Sequence, residues 1–321
     1  MGTTVITGGH TGLGFETAKK LASKGQNLVL AGRNPTAVEA SAERLRERFG
    51  AQVTTVELDV SSLASVRQAV AHIKRLVSAG TIGNIDALLC NAGAQFRGPI
   101  AYSTDGFELT FATNYLGHFL FVNLLLDTLA EDARIVFTAS GTHDPDTMDG
   151  KMVGKAIAAD AVALANDGRG GKKASSGGVH YSTSKLCVLL FAYELSRRLA
   201  QHSSNVKSIA FDPGLIPETG LARTAPAFAV SLLRTSGMKW LLRKLSVTMG
   251  SIPFSGDALA RIAVEAQYAH ASGQYLQSKD NTLLPAQSSK ASYDKQTAAK
   301  LWEDSAMLVK LQAAEMPRAI Q

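Results

Sequence analysis

The sequence predicts a single α/β domain over residues 1–321, a doubly wound parallel sheet with helices on both faces. Three observations lead there. Short strand-like runs alternate with helix-like runs over the first two-thirds of the chain. The strand-like runs are apolar without alternation, as strands buried on both faces are. At 321 residues the chain is long enough to bury a large core without a disulfide or metal staple. Strand–helix alternation of this kind gives a parallel sheet with right-handed crossovers, a Rossmann-type domain.

The elements follow in order. Val5–Thr7 is a short β-branched strand, and Glu16–Lys24 is a helix stopped by Gly25. Asn27–Ala31 is a second strand, and the charged helix Pro35–Phe49 follows. Val53–Leu58 is the third strand, and Ser62–Ser78 carries apolar residues at helical spacing. Ala87–Cys90 is the fourth strand, Phe107–Leu129 a helix apolar nearly all round, and Arg134–Thr138 the fifth strand. Ser182–Gln201 reads as a helix and Val206–Phe211 as the sixth strand. Two stretches break the rhythm. Residues 142–179 form a long, glycine-rich insertion, mostly loop, with a short helix expected at Ala156–Ala165. Residues 219–256 form the second. Residues 294–311 read as a terminal helix packing Leu301, Trp302 and Leu308.

Composition narrows the function. Lys and Arg number 33 against 27 Asp and Glu, a net charge of +6 spread along the chain without a basic block. With no zinc-finger or RNA-binding motif, nucleic-acid binding is not expected. Cys90 and Cys187 lie in apolar runs and read as reduced, buried thiols. No cysteine–histidine cluster suggests a metal. The start, MGTTVITGG, reads as a strand rather than a secretory leader, and no long unbroken apolar run suggests a membrane span. The expected location is cytoplasmic.

The first strand ends in Thr7-Gly8-Gly9-His10-Thr11-Gly12-Leu13-Gly14 and opens directly into a helix. Gly8 suits a tight turn, Gly12 lets backbone approach a pyrophosphate, and Gly14 allows close helix–sheet contact. The phosphate would sit at the helix N-terminus, among free N–H groups. The second strand ends in Gly32-Arg33-Asn34 with no acid. An acid there would repel a 2′-phosphate, and an Arg fork would pair with it, so Arg33 points to NADP (NADPH) rather than NAD. His10 is a further candidate phosphate donor. Asp59 and Val60 end the third strand, where the Asp59 carboxylate can accept from an adenine amine or cap the next helix. Asn91, Ala92 and Gly93 follow the fourth strand, small enough for backbone to lie against a cofactor ribose.

Tyr181 and Lys185 are four residues apart at the start of a helix, so they share a face. An ammonium beside a phenol lowers the phenol pKa and suits a proton donor to a carbonyl oxygen.

Taken together the motifs resemble the short-chain dehydrogenase/reductase family. They are TGGHTGLG, LDV at 58–60, CNAG at 90–93, TNYLGHF at 113–119, RIVFTAS at 134–140, YSTSK at 181–185 and DPGLIPET at 212–219, in family order. The resemblance implies a catalytic tetrad of Asn114, Ser140, Tyr181 and Lys185. Ser140 would hydrogen-bond the substrate oxygen and Tyr181 would transfer the proton. Lys185 would bind the nicotinamide ribose, and Asn114 would hold a relaying water. Pro213, Gly214 and Thr219 would meet the carboxamide. Residues 104–129 and the long gap from Ser140 to Tyr181 look like the retinol-dehydrogenase and light-dependent protochlorophyllide-reductase branch. PETGLAR at 217–223, Cys187 and the terminal LWEDSAMLVKL look like the protochlorophyllide enzymes, a resemblance that implies a pigment-contacting cysteine.

The expected activity is therefore NADP-dependent interconversion of a carbonyl and an alcohol on an apolar small molecule. The alternatives are a protochlorophyllide reductase-like enzyme and a nucleotide-bound regulatory protein. Residues 219–256 carry five basic residues and no acid up to Gly256, interleaved with Phe228, Trp240 and several leucines. They read as a lid over a lipophilic substrate, with contact to an anionic membrane as a lesser alternative. The oligomeric state stays open.

Overall fold

In this computed structural model the described residues are 2–96, 98–216, 235–245 and 247–320. Thr219 and the first part of the expected lid, residues 219–234, lie outside them, as does residue 246. Eight strands make one sheet: β1 Thr3–Thr7, β2 Asn27–Gly32, β3 Val53–Glu57, β4 Ile85–Cys90, β5 Leu129–Thr138, β6 Lys207–Asp212, β7 Tyr275–Lys279 and β8 Thr282–Ala286. The order is β3-β2-β1-β4-β5-β6-β7-β8. All neighbours are parallel except β7 and β8. The chain winds outward from β1 in one direction, then restarts at β4 in the other. That reversal opens a crevice at the carboxyl ends of β1 and β4, where such sheets bind ligands.

Apolar stripes decide the layers. Gly12–Ser23, Pro35–Phe49 and Ile252–Val264 bury Leu21, Leu45 and Leu259 against one face. Leu63–Ser78, Leu109–Thr128 and Gly177–Gln201 bury Ile73, Phe119 and Leu189 against the other, with Lys295–Leu308 packed outside them. Leu109–Thr128 is apolar enough to cross a membrane by composition, but 94% of its apolar window is buried inside the protein. It contains a π-helical turn at Ala112–Leu116.

Helix boundaries follow capping chemistry. Asn34 accepts from Ala37 N–H before Pro35, and Gly50 closes that helix in the left-handed region. Ser62 caps Leu63–Ser78 and Ser176 caps Gly177–Gln201, five residues earlier than the apolar pattern suggests. In the insertion, only Ala161–Ala165 of the expected short helix forms, capped by Asp160. A second short helix, Met148–Val153, precedes it. Residues 252–256, expected in the lid, open the sheet-packing helix Ile252–Val264. β7 and β8 were not expected from sequence: the β7 run ends in Gln-Ser-Lys, and β8 carries Pro285, tolerated because that strand is at the edge.

Candidate active site

The glycine turn is built as a phosphate cradle. Thr11 sits at the N-cap in extended conformation with no side-chain cap bond, and the first helical turn has no acid. The leading N–H groups are thus left for an anion. Gly12 has φ +53, and nothing lies within 4 Å of where its Cβ would be. Gly8 is also left-handed, at φ +66. A Cβ on Gly14 would run into the Gly8 carbonyl oxygen and lie 2.6 Å from Asn91 Nδ2. Leu13 is buried in the core, so only its backbone serves the cradle. His10 is half-buried with its ring against Gly32.

Arg33 is exposed beyond β2 and makes no hydrogen bond or ion pair among the described residues. Asp59 does not cap the following helix. Its Oδ1 accepts from Ser61 N and Oγ at 2.9 and 2.7 Å, which fixes the turn after β3. Val60 is buried, and its carbonyl occupies the space a Cβ on Gly117 would fill. Thr7 holds the tip of β4: its Oγ1 accepts from Asn91 N and Ala92 N, both at 2.9 Å. The Asn91 amide donates back to the Thr7 carbonyl at 3.0 Å. Gly93 lies beside Asn114 Oδ1 and Lys185 Nζ. Cradle, free guanidinium and open β4 tip fit a dinucleotide phosphate.

The four tetrad residues come together at the carboxyl edge of the sheet. Ser140 follows β5, and its hydroxyl is near enough to Tyr181 to pull the phenol pKa down. Tyr181 and Lys185 lie on Gly177–Gln201, with Lys185 Nζ 5.7 Å from the Tyr181 ring centroid. Lys185 Nζ donates to the Thr138 carbonyl at 2.7 Å. Asn114 occupies the π-helical turn. Its side chain donates to Ala94 O and Ser184 Oγ, both at 2.9 Å, and accepts from Ala94 N at 2.8 Å.

Burial pushes the Tyr181 phenol up, the Ser140 hydroxyl pulls it down, and the Asp212 charge raises it again. The expected lowering by Lys185 is therefore not seen in this geometry. The Lys185 ammonium is turned to a backbone carbonyl, and burial pushes it down to about 8 against the opposing pull of Asp212. Phenol and amine are both held toward their neutral forms.

Sequence reading missed several polar residues around the site. Asp212, 1% exposed, accepts from Tyr275 Oη at 2.9 Å, Gln277 Nε2 at 3.0 Å and Gly214 N at 2.9 Å. Asp149, on the insertion, points at the same spot: both carboxylates crowd the position of a Gly141 Cβ. Burial, then the Asp212 charge, raise Asp149 to about 6. His118 is a third, buried behind Thr7. Asp212 precedes Pro213-Gly214 and was open to sequence reasoning. Asp149 was not, because its place depends on how the insertion folds. Pro213 and Gly214 lie at the site edge, with Gly214 at φ +74 and the Pro213 carbonyl accepting from Ser255 Oγ at 2.8 Å. Of the expected lid, the described helix Ser236–Lys244 leads into Val247–Gly250, and Leu242, Val247 and Met249 pack against Leu215 and Met148. Cys187 is fully buried in the core, and burial pushes its thiol up.

A family model for short chain dehydrogenases matches residues 2–148. Retinol dehydrogenase 13 of Homo sapiens is 33% identical over 316 residues, 97% of this chain and 85% of its own length. The chain belongs to the short-chain dehydrogenase family. The chloroplastic protochlorophyllide reductase of Daucus carota is similar at 32% identity, covering 97% of this chain and 78% of its own. Among solved structures, an uncharacterised protein from Mycobacterium paratuberculosis superposes with TM-score 0.70 at 28% identity, covering 97% and 94% of the two chains. A landomycin C-6 ketoreductase with bound NADP and rabelomycin shares the fold, at TM-score 0.62, 20% identity and 87% and 94% coverage. The chain is thus an oxidoreductase of this family, with a site that fits a nicotinamide dinucleotide.

Proposed function

We propose that this short-chain dehydrogenase is NADP-dependent and interconverts a carbonyl and an alcohol on a lipophilic small molecule. One observation carries the reading: Ser140, Tyr181 and Lys185 are gathered at the edge where the glycine turn opens, with Lys185 Nζ 5.7 Å from the Tyr181 ring centroid. In the direction of reduction the nicotinamide would supply the hydride when bound. Ser140 donates to the substrate oxygen, and Tyr181, held in its neutral form by burial, delivers the proton. Lys185 replenishes that proton through its ammonium form. Arg33 supports NADP over NAD, because it is the cation at the end of β2 and no acid stands there.

The apolar cluster of Leu242, Val247 and Met249 at the site edge supports a lipophilic substrate. So do the names of the relatives, a retinol dehydrogenase and a protochlorophyllide reductase. Carbonyl reduction in the dark is favoured over pigment reduction because the Cys187 thiol is packed into the core. Two buried thiols suit a reducing, cytoplasmic setting. The test is NADPH oxidation against a panel of apolar aldehydes and ketones, in darkness and in light. Turnover in darkness supports the reading. Turnover confined to light with a porphyrin-type substrate overturns it.

A further inference from the structure

We propose that His118 is a positioning residue that joins two clamps on the segment Asn91–Ala94 and thereby sets the nicotinamide-ribose side of the site. The proposal rests on the nicotinamide reading above.

The segment Asn91–Ala94 has no regular structure, yet two side chains grip it. Thr7 Oγ1 accepts from the N–H groups of Asn91 and Ala92. Asn114 takes both backbone groups of Ala94, accepting from its N–H and donating to its carbonyl. One imidazole touches both clamps. His118 Nε2 lies 2.9 Å from Thr7 Oγ1, and its Nδ1 lies 3.4 Å from the backbone carbonyl of Asn114, the residue whose side chain forms the second clamp.

The hydrogen count fixes the direction of these bonds. A hydroxyl has two lone pairs and one proton. Two N–H donors fill the Thr7 lone pairs, so Thr7 must donate elsewhere. Leu89 O is at 3.3 Å and His118 Nε2 at 2.9 Å, so the shorter contact takes the proton. His118 Nε2 is then an acceptor, and the proton of the neutral ring sits on Nδ1, facing the Asn114 carbonyl. His118 is 3% exposed, and burial and nearby Lys185 hold the ring neutral by pushing it down to about 4.

The consequence reaches the cradle. With its proton committed to His118, the Thr7 oxygen keeps its lone pairs on Asn91 and Ala92. The Asn91 amide in turn lies 2.6 Å from where a Cβ on Gly14 would be and 3.3 Å from one on Gly8. Without an acceptor at the Nε2 position the Thr7 hydroxyl rotates toward Leu89, and the grip on Asn91–Ala92 loosens. The Thr7-to-Asn91 contacts explain why the β4 tip is held. His118 explains why the hydroxyl points the right way.

Three variants separate this from plain space-filling. His118→Phe fills the volume with no acceptor. His118→Gln restores an oxygen near the Nε2 position, and His118→Asn restores a donor only near Nδ1. Losing one buried acceptor should weaken NADPH binding, by calorimetry, about 5–30-fold in His118→Phe and His118→Asn. His118→Gln should return to within about threefold of the parent. In the nucleotide-free protein, hydrogen exchange at the Asn91 and Ala92 amides should accelerate in Phe and Asn and recover in Gln. Melting temperature need not follow that order. If His118→Phe fails to fold, the Gln and Asn pair carries the same contrast. NADPH affinities that simply track melting temperature, or Gln behaving like Asn, overturn the proposal. Exchange uses no nucleotide, so a parent that protects these amides but does not bind NADPH shows that the nicotinamide reading is what failed.

Discussion

Substituting Gly12 and Gly14 by Ala should separate binding from folding within one turn. At Gly12 the added methyl meets nothing within 4 Å, so packing is not harmed. The only folded-state cost is a non-glycine residue at φ +53, about 1–2 kcal/mol. Part of that is offset because Ala has less conformational freedom than Gly in the unfolded chain. The melting temperature should fall by no more than about 2–6 °C, at about 2–4 °C per kcal/mol for chains of this class. The same methyl projects into the open cradle where a pyrophosphate must touch backbone, so NADPH affinity should fall by about 100-fold or more. Gly14 is the reverse case. Its methyl would strike the Gly8 carbonyl and lie 2.6 Å from Asn91 Nδ2, so the helix must move off the sheet. The cost should be about 2–4 kcal/mol of stability, with binding lost as a consequence. Calorimetric melting and NADPH titration on both variants decide the matter. A Gly12→Ala protein that binds NADPH normally, or a Gly14→Ala protein that melts like the parent, would refute the reasoning.

Three further outcomes are expected. Arg33→Asp should weaken NADPH by about 1–3 kcal/mol and leave NADH unchanged or improved, measured by parallel titrations; equal parent affinity for both nucleotides would remove the basis for the NADP assignment. Asp149 has its folded pKa raised to about 6, so its contribution to stability is full below pH 4 and is lost as pH rises through about 6. Asp149→Asn should therefore raise the melting temperature at pH 7–8, by about 1–3 kcal/mol in stability, with little change near pH 4; no gain at pH 8 contradicts the burial argument. Lys185 has its folded pKa lowered to about 8, so it opposes folding below that pH and its penalty fades as pH rises toward 10.5. Lys185→Met should be more stable than the parent at pH 7 while losing turnover; a less stable Met variant would mean the Thr138 hydrogen bond outweighs burial.

The parts of the site legible in sequence are those whose geometry is local. The glycine spacing after β1, the four-residue step from Tyr181 to Lys185, and the acid-free end of β2 each depend on one turn of chain. The expected order of strands through β6 holds for the same reason, since each apolar run is buried by its own length. What escaped depends on long-range folding. Asp149 comes near Asp212 because Thr147 caps Met148–Val153 and sets the Asp149 carboxylate beside Gly141. His118 looks like one polar residue on an apolar helix until β1 places Thr7 against it. The Tyr181 pKa was misjudged because spacing puts Lys185 on the same face but does not show that Nζ turns to Thr138 or how deeply the phenol is buried. β8 escaped because an edge strand needs little apolar sequence, and β7 because its run Tyr275–Lys279 turns polar after Leu276 although it pairs on both sides.

The central claim is that Tyr181 hands a proton to a carbonyl while the dinucleotide site delivers hydride. The most direct measurement follows deuterium from C4-labelled NADPH into the alcohol, by mass spectrometry, in the parent and in Tyr181→Phe. One deuterium should appear on the carbinol carbon in the parent. Tyr181→Phe should bind NADPH as the parent does, yet transfer label slower by about 10²–10⁴-fold. Label transferred at parental rate by Tyr181→Phe, or no transfer by the parent to any carbonyl tested, would contradict the account.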